Sequence, residues 1–346
     1  MYLNFNIIYT AGNVRYLRLF ILSLLKWSDC TFRLVSNDCR EEEEQILREF
    51  CQNNPRLEFL SLPFDGMVPH GKALTYLQQL EKSQYFCFMD SDIFATGDFI
   101  AEFRNYFGQY CGIFSGTAIW LDEASQVMPP GCKGIGGRFN HTADGLCLGS
   151  TFFAIYENDI LNKILREYAI TFDKYYQWDE IAVTVRQEIE NLNLQNRRYD
   201  TAKILNLLLI CNGYNLIYKD AKTLCHLGGL STVKVGPLSK VPPKGVKRML
   251  KDFARLFSAK GLNKIAQKIF QGQKIVNIDY EKRDIADYFT NLMDSLFAKE
   301  PFTKTIRVHD LQVLARIKEA TRQIETLYKE FEPKLYDKRL PKGKHI

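Results

Sequence analysis

Residues 85–94, Tyr-Phe-Cys-Phe-Met-Asp-Ser-Asp-Ile-Phe, restrict the fold of this chain more than any other stretch. From Tyr85 to Met89 no position is polar enough to face water. A run that short and that apolar predicts a strand buried on both faces, the kind found in parallel sheets covered by helices. It stops at two carboxylates one residue apart, Asp90 and Asp92, with Ser91 between them. The carboxyl edge of such a sheet is where open α/β folds bind ligands. Residues i and i+2 at a strand end point the same way, so Asp90 and Asp92 can meet one cation, directly or through water. Taken alone, the pair reads equally as an acidic turn, with Asp92 solvated or capping a backbone N–H.

The segments before this strand supply the rest of a sheet. Residues 2–9, 31–36 and 57–62 have strand character, and helical patterns at 13–27, 41–50 and 70–80 separate them. In the first helix Leu17, Phe20, Ile21 and Leu24 share one face. Strand–helix alternation of this length predicts an α/β fold, Rossmann-like, with a mostly parallel central sheet and right-handed crossovers. No G-x-G-x-x-G follows the first strand and no P-loop occurs, which disfavours NAD-dependent enzymes and P-loop NTPases. Further on, the pattern predicts helices at 99–107, 159–169, 182–190 and 201–211, and strands at 111–115, 146–156 and 214–218. Between them, 129–145 holds Pro129, Pro130 and five glycines, and reads as a mobile loop.

Composition fixes the broad class. The chain has 346 residues, 46% of them hydrophobic, with 24 Phe and 18 Tyr, enough for a large core and roughly two domains. Its nine cysteines are odd in number and form no C-x-x-C pair, which predicts neither a disulfide framework nor a zinc cluster, and a reducing, cytoplasmic setting. Met1 to Asn4 has no basic leader, and the apolar stretch Leu17–Leu25 contains Arg18 and is too short to span a bilayer.

The net charge of +6 is unevenly spread: residues 242–275 carry seven Lys and two Arg against one Asp, a local +8 that leaves −2 elsewhere. Three prolines in 237–245 mark a boundary, giving a catalytic unit at 1–236 and a helical, basic region at 237–346. There Val246, Met249, Leu250, Phe253 and Phe257 oppose Lys247, Arg248, Lys251 and Arg255. Such a helix suits an anionic membrane surface, making the protein peripheral on the cytoplasmic face. No stacking or groove-reading module accompanies the charge, so nucleic acid is not an expected partner. Leu314, Ile317, Thr321, Ile324, Tyr328 and Phe331 form a second stripe that needs a partner surface, in this chain or in an oligomer.

Three further features fall at expected element ends: His70-Gly71-Lys72-Ala73-Leu74, the turn Trp178-Asp179-Glu180, and His226-x-Gly228-Gly229. In this order with Asp90-x-Asp92 they resemble the GT-A glycosyltransferases, near the large inverting family 2, over residues 1–235. The resemblance implies a metal-dependent hexosyl transfer from a UDP- or GDP-sugar to a glycan or lipid-linked acceptor, in envelope or surface polysaccharide synthesis. It implies that Asp92 binds Mn²⁺ or Mg²⁺ directly, that Asp90 acts through water or on the ribose, and that His226 adds a nitrogen ligand better suited to Mn²⁺. Asp179 is then the base, with Glu180 second; the family commonly shows Glu-Asp where this chain has Asp-Glu. Gly228 and Gly229 would let backbone approach phosphate, His70 and Lys72 would lie near the nucleotide, and Ser91 beside it. Thr10, Asn37 and Asp38 would meet the base or ribose, Asp144 the acceptor, and Tyr175, Tyr176 or Trp178 would stack on a sugar. The glycine-rich 129–145 segment would be a lid that orders on donor binding.

The chemistry is consistent without the name. A leaving nucleoside diphosphate gains negative charge, which a hard cation on carboxylates stabilises, and the acceptor hydroxyl needs a base on the opposite face. A sugar-phosphate nucleotidyltransferase is disfavoured because Thr10-Ala11-Gly12-Asn13 is too short and lacks a basic residue. A non-catalytic, membrane-peripheral binding protein on the same fold is disfavoured by the presence of Asp90, Asp92, Asp179 and His226 together.

Overall fold

The computed structural model describes residues 2–12, 14–195, 197–230 and 278–335. The first half follows the alternation closely: β1 (Asn4–Tyr9), α1 (Leu17–Lys26), β2 (Thr31–Ser36), α2 (Glu41–Gln52), β3 (Leu57–Ser61), α3 (His70–Leu80) and β4 (Tyr85–Asp90). The first helix is shorter than its pattern, because Val14–Tyr16 is a 3-10 turn. The second half is β5 (Ile93–Ala95), β6 (Gly112–Ser115), α4 (Glu123–Gln126), β7 (Val127–Met128), β8 (Gly134–Ile135), β9 (His141–Thr142), β10 (Phe153–Glu157), α5 (Asn158–Glu167), α6 (Val183–Ile189), β11 (Arg198–Tyr199), α7 (Lys203–Cys211), β12 (Leu216–Tyr218) and β13 (Leu224–His226). Two long helices close the described chain, α8 (Ile278–Ala298) and α9 (Leu311–Leu335).

Seven strands form one sheet in the order β12-β6-β10-β4-β1-β2-β3. β1 runs parallel to β2 and β4, β2 to β3, and β12 to β6, whereas β10 is antiparallel to both β4 and β6. The fold is therefore α/β, a mostly parallel sheet flanked by helices, with a helical C-terminal region. β4 sits at its centre, and its alternate side chains feed two cores. Phe86 and Phe88 pack with Leu74, Tyr156 and Phe172 on one face; Cys87 and Met89 pack with Phe5, Ile7 and Phe153 on the other. That double burial is why the strand has no polar position before Asp90.

Several expectations change. Residues 99–107 hold a 3-10 helix at Ala101–Tyr106, and of 146–156 only the end, from Phe153, is strand. Residues 146–152 instead wrap a buried lysine. The glycine-rich 129–145 segment is tied into the fold by short pairings, β8 with β11 and β7 with β9. The boundary near 237 and the basic stripe at 242–275 lie outside the described residues. No helix among the described residues is long and apolar enough to cross a membrane.

The stripe on α9 finds its partner surface within the chain. Ile317, Ile324 and Phe331 join Ile285, Phe289 and Leu292 of α8, Leu19 and Phe20 of α1, and Phe94, Ile119 and Leu227. Val313, Ala320 and Leu327 are buried with them, so the buried face is turned slightly from the expected one. Burying such side chains contributes about 1.5–3 kcal/mol each. The ion pairs at the rim, Lys26–Glu330 at 2.5 Å and Arg15–Asp294 at 3.1 Å, are partly exposed. Exposed pairs contribute at most about 1 kcal/mol each. Apolar contact therefore docks the helix pair on α1 and on the segments around β5 and β13. Phe289 is fully buried, and Phe289→Ala is expected to cost roughly 3–5 kcal/mol. In calorimetry the loss should appear as a lower midpoint of one cooperative transition. A separate low-temperature transition beside an unchanged main one would mean that the helix pair is an independent unit.

Candidate metal and donor site

The site forms where β4 ends. Asp90 is its last residue, Ser91 and Asp92 turn the chain, and β5 begins at Ile93. β13 pairs antiparallel with β5, in the register Leu224↔Ala95, Cys225↔Phe94 and His226↔Ile93. That register delivers His226, from more than a hundred residues downstream, to the two carboxylates. Its Nε2 lies 3.1 Å from Asp92 Oδ1 and 3.4 Å from Asp90 Oδ2. Asp90, Asp92 and His226 each present a ligand atom within 4.8 Å of the others.

The ring orientation is fixed. His226 Nδ1 is 2.7 Å from the Gly116 carbonyl, which can only accept, so Nδ1 carries a proton. Nε2 then faces the carboxylates, buried and without a well-formed hydrogen bond. A second-atom hydrogen bond of this kind orients metal-binding histidines. Two carboxylates and one imidazole nitrogen converging on a shared point form an oxygen-and-nitrogen donor set that fits Mn²⁺ or Mg²⁺, with nitrogen favouring Mn²⁺. Asp92 is 5% exposed, and its Oδ2 accepts the Leu230 N–H at 3.1 Å. Burial works to raise the Asp92 carboxyl, but the His226 charge and these hydrogen bonds hold it below its ordinary value. Burial works to lower His226, and the charge of Asp92 followed by its contacts with Asp90 and Asp92 outweighs it, lifting the imidazole to about 10.

The other sequence candidates are placed as follows. Ser91 lines a cleft with Gly12, Tyr16, Phe20, Asp92, Leu230 and Thr290. Thr10 follows β1 and is half-buried. Asn37 is buried, and its amide is committed to both backbone atoms of Val68, each at 2.9 Å. Asp38 is exposed with a φ of 63°. His70 begins α3 with its ring edge-on to Phe88. Burial lowers its pKa while Asp90 opposes the shift, which places it at the same sheet edge as Asp90. Lys72 is exposed and lies over the Phe64 ring at 4.6 Å. Gly228 has a φ of 70°, and an added Cβ would fall 2.4 Å from Trp120 Nε1 and 2.5 Å from Ala118 Cβ. Close packing against Trp120, whose Nε1 donates to the Gly228 carbonyl at 3.0 Å, thus requires glycine there. Gly229 also has positive φ, 104°.

Asp179 and Glu180 lie in a 3-10 turn, Trp178–Glu180, ahead of α6. Both are exposed. Glu180 Oε2 accepts the N–H groups of Tyr176 at 2.8 Å and Gln177 at 3.3 Å and so helps to close its own turn. Asp144 accepts from the Thr142 hydroxyl. Trp178 packs on Tyr199, and Tyr176 is exposed.

Several residues that shape the site were not read from the sequence. Glu43 is buried, and its Oε1 accepts the Gly12 N–H at 2.7 Å, fixing the loop after β1. Asp200 accepts Gly137 N at 2.8 Å and pairs with Lys174 at 2.9 Å, and its charge reaches His70. Lys203 is 1% exposed and donates to the carbonyls of Phe139 at 2.8 Å, Leu148 at 3.2 Å and Gly149 at 2.6 Å. It is the hub that straps the glycine-rich segment to α7. None has a short motif; each meets its partner only through the tertiary fold.

No protein-family model matches the chain, and no curated protein matches it. Among solved structures it is similar to the mannosyltransferase PcManGT from Pyrobaculum calidifontis in complex with GDP-Man and Mn²⁺, at 10% identity and a TM-score of 0.41, covering 97% of this chain and 87% of that one. It is similar to residues 1–349 of TarS from S. aureus, at 11% identity and a TM-score of 0.41, covering 98% and 93%. It is also similar to the glycosyltransferase GlyE of Streptococcus pneumoniae, at 14% identity and a TM-score of 0.35; the match covers 63% of this chain but only 45% of GlyE.

Burial lowers the Lys203 ammonium to about 8, while Asp200 and Cys147 oppose the shift. An unfolded lysine titrates near 10.4, so between those values the unfolded chain binds more protons. The cost of burying this charge is therefore fully present below about 8 and is relieved as pH rises. Urea denaturation of wild type and Lys203→Met from pH 7.5 to 10 should show wild-type stability gaining on the variant. Parallel curves would contradict a buried, charged Lys203.

Proposed function

We propose that this chain is a divalent-metal-dependent glycosyltransferase with a GT-A fold, using a UDP- or GDP-hexose and a glycan or lipid-linked acceptor. One observation carries the reading: Asp90, Asp92 and a fixed His226 converge at the carboxyl end of the central strand. Asp92 and His226 would hold the cation directly, with Asp90, the more exposed carboxylate, completing its shell or contacting the donor. When bound, the cation supplies positive charge against the diphosphate that departs.

The chain's own residues do the rest. Gly12, held by Glu43, and Ser91 border the cleft that opens beside Asp92. His70, kept neutral by burial, and Asp90 occupy the same edge. For transfer with inversion, a carboxylate must take the acceptor's proton on the face away from the leaving group. Asp179 is the preferred base, with Glu180, whose Oε2 accepts two backbone N–H groups, as the second candidate. We assign the chain to the neighbourhood of family 2 on the order of these elements, and surface polysaccharide synthesis as its setting.

The test pairs two substitutions in full-length protein with Mn²⁺ and a panel of UDP- and GDP-sugars. Asp92→Asn keeps the side chain's shape and should fold, yet lower donor turnover by at least roughly 100-fold, since even residues that only support metal ligands cost 10–100-fold. Asp179→Asn should lower turnover while leaving nucleotide binding intact. Wild-type protein inert towards every donor, or unaffected by Asp92→Asn, would defeat the assignment.

A further inference from the structure

The orientation of His226 is itself held from a further element. His226 Nδ1 donates to the Gly116 carbonyl at 2.7 Å. The N–H of that same peptide unit belongs to Thr117, and it donates to Asp220 Oδ1 at 3.1 Å. One planar amide thus joins a carboxylate on one side to an imidazole on the other. β6 and β12 run parallel, with Phe114 beside Tyr218, so residues 116–117 and 220 leave neighbouring strands at the same carboxyl edge. The chain is tied down on both sides of Asp220. The Lys219 N–H donates to the Phe114 carbonyl at 2.8 Å, and the Ala221 N–H donates to Ser115 Oγ at 3.0 Å. Gly116 has a φ of 86°, and a Cβ there would lie 3.3 Å from Phe153 Cβ. Glycine therefore lets the carbonyl meet the imidazole without strain.

Asp220 has no cation to account for it. Among the described residues no basic side chain forms an ion pair with it. Arg316 of α9 feels its charge only at longer range. Its other donor is the Tyr218 hydroxyl at 3.4 Å, which is also hydrogen-bonded to Thr117 Oγ1. Satisfying the Thr117 N–H needs only a neutral oxygen, and at this exposed position water would serve. A carboxylate adds charge. An amide whose N–H meets a charge is polarised, and its carbonyl becomes a stronger acceptor. A stronger acceptor on Nδ1–H fixes the imidazole and raises the basicity of Nε2 towards a cation.

We propose that Asp220 is a positioning residue of the metal site, acting through the Gly116–Thr117 peptide to orient His226 and strengthen it as a ligand. The proposal rests on the cation-binding reading above. It makes a carboxylate that touches neither cation nor donor part of what selects a metal with affinity for nitrogen.

The experiment is calorimetric titration of the full chain with MnCl₂ and with MgCl₂, comparing wild type, Asp220→Ala and Asp220→Asn. Partners of metal-binding histidines cost 10–100-fold in affinity when removed. Asp220 is exposed and one peptide further out, so Asp220→Ala should weaken Mn²⁺ by about 10-fold. Mg²⁺ leans less on nitrogen and should lose less, so the preference for Mn²⁺ falls. Asp220→Asn keeps an oxygen for the Thr117 N–H but no charge, and should shift both affinities the same way by a smaller factor. Melting temperatures identify a variant that fails to fold; should alanine do so, the asparagine variant decides by the same two affinities. Unchanged Mn²⁺ affinity in the folded variant overturns the proposal. So does an equal loss for both cations, which would mean that the charge acts through space and not through His226. In either case the metal site itself stands. A wild-type protein that binds neither cation overturns the metal reading, and this proposal with it.

Discussion

The buried carboxylate of Asp92 is the constraint on which the site depends. A charge at 5% exposure is sustainable only with counter-charge and hydrogen bonds supplied by the protein. His226 Nε2 supplies the first and the Leu230 N–H the second. Both come from 226–230, a segment far from β4 in sequence that reaches it by pairing β13 with β5. The Leu227 N–H also donates to the Asp92 carbonyl, so this segment grips the turn through backbone and side chain alike. Loss of either partner of such a buried pair costs about 3–5 kcal/mol. The turn after β4 and the strand carrying His226 are thus one energetic unit.

That unit extends into the C-terminal helices. Leu227 and Leu230, on either side of the two glycines, are buried in the same cluster as Phe289, Ile317 and Ile324. Phe94, two residues beyond Asp92, is stacked on Phe20 of α1 within it. Phe94, Leu227 and Leu230, which flank the metal-site residues in sequence, therefore lean on a core to which α8 and α9 contribute.

Much of this was legible in the chain itself. Each of the first four strands and their helices is local: its period, ends and burial are carried by adjacent residues, and the short, aromatic-rich run Tyr85–Met89 reads as a doubly buried strand. Asp90, Asp92 and His226 were legible as candidates because carboxylates and an imidazole at element ends are rare and chemically pointed. The region from 129 to 152 was not. Its glycines suggested mobility, yet Gly137 and the carbonyls around Gly149 are bound by Asp200 and Lys203, partners no local pattern could reveal. The same holds for Gly228, read as room for a phosphate, where the nearer demand is the indole of Trp120.

The difference between Glu180 and Asp179 shows how such ambiguity resolves physically. From sequence the two carboxylates are interchangeable candidates for one base. In the fold, Glu180 closes its own turn by accepting two exposed backbone N–H groups through Oε2. A catalytic base must instead give its lone pairs to a substrate proton, and hydrogen bonds that stabilise the charged form make a carboxylate a weaker base. The geometry of the turn thus sets the pair apart: Glu180 helps to hold the turn through one carboxylate oxygen, and Asp179 is exposed beside it.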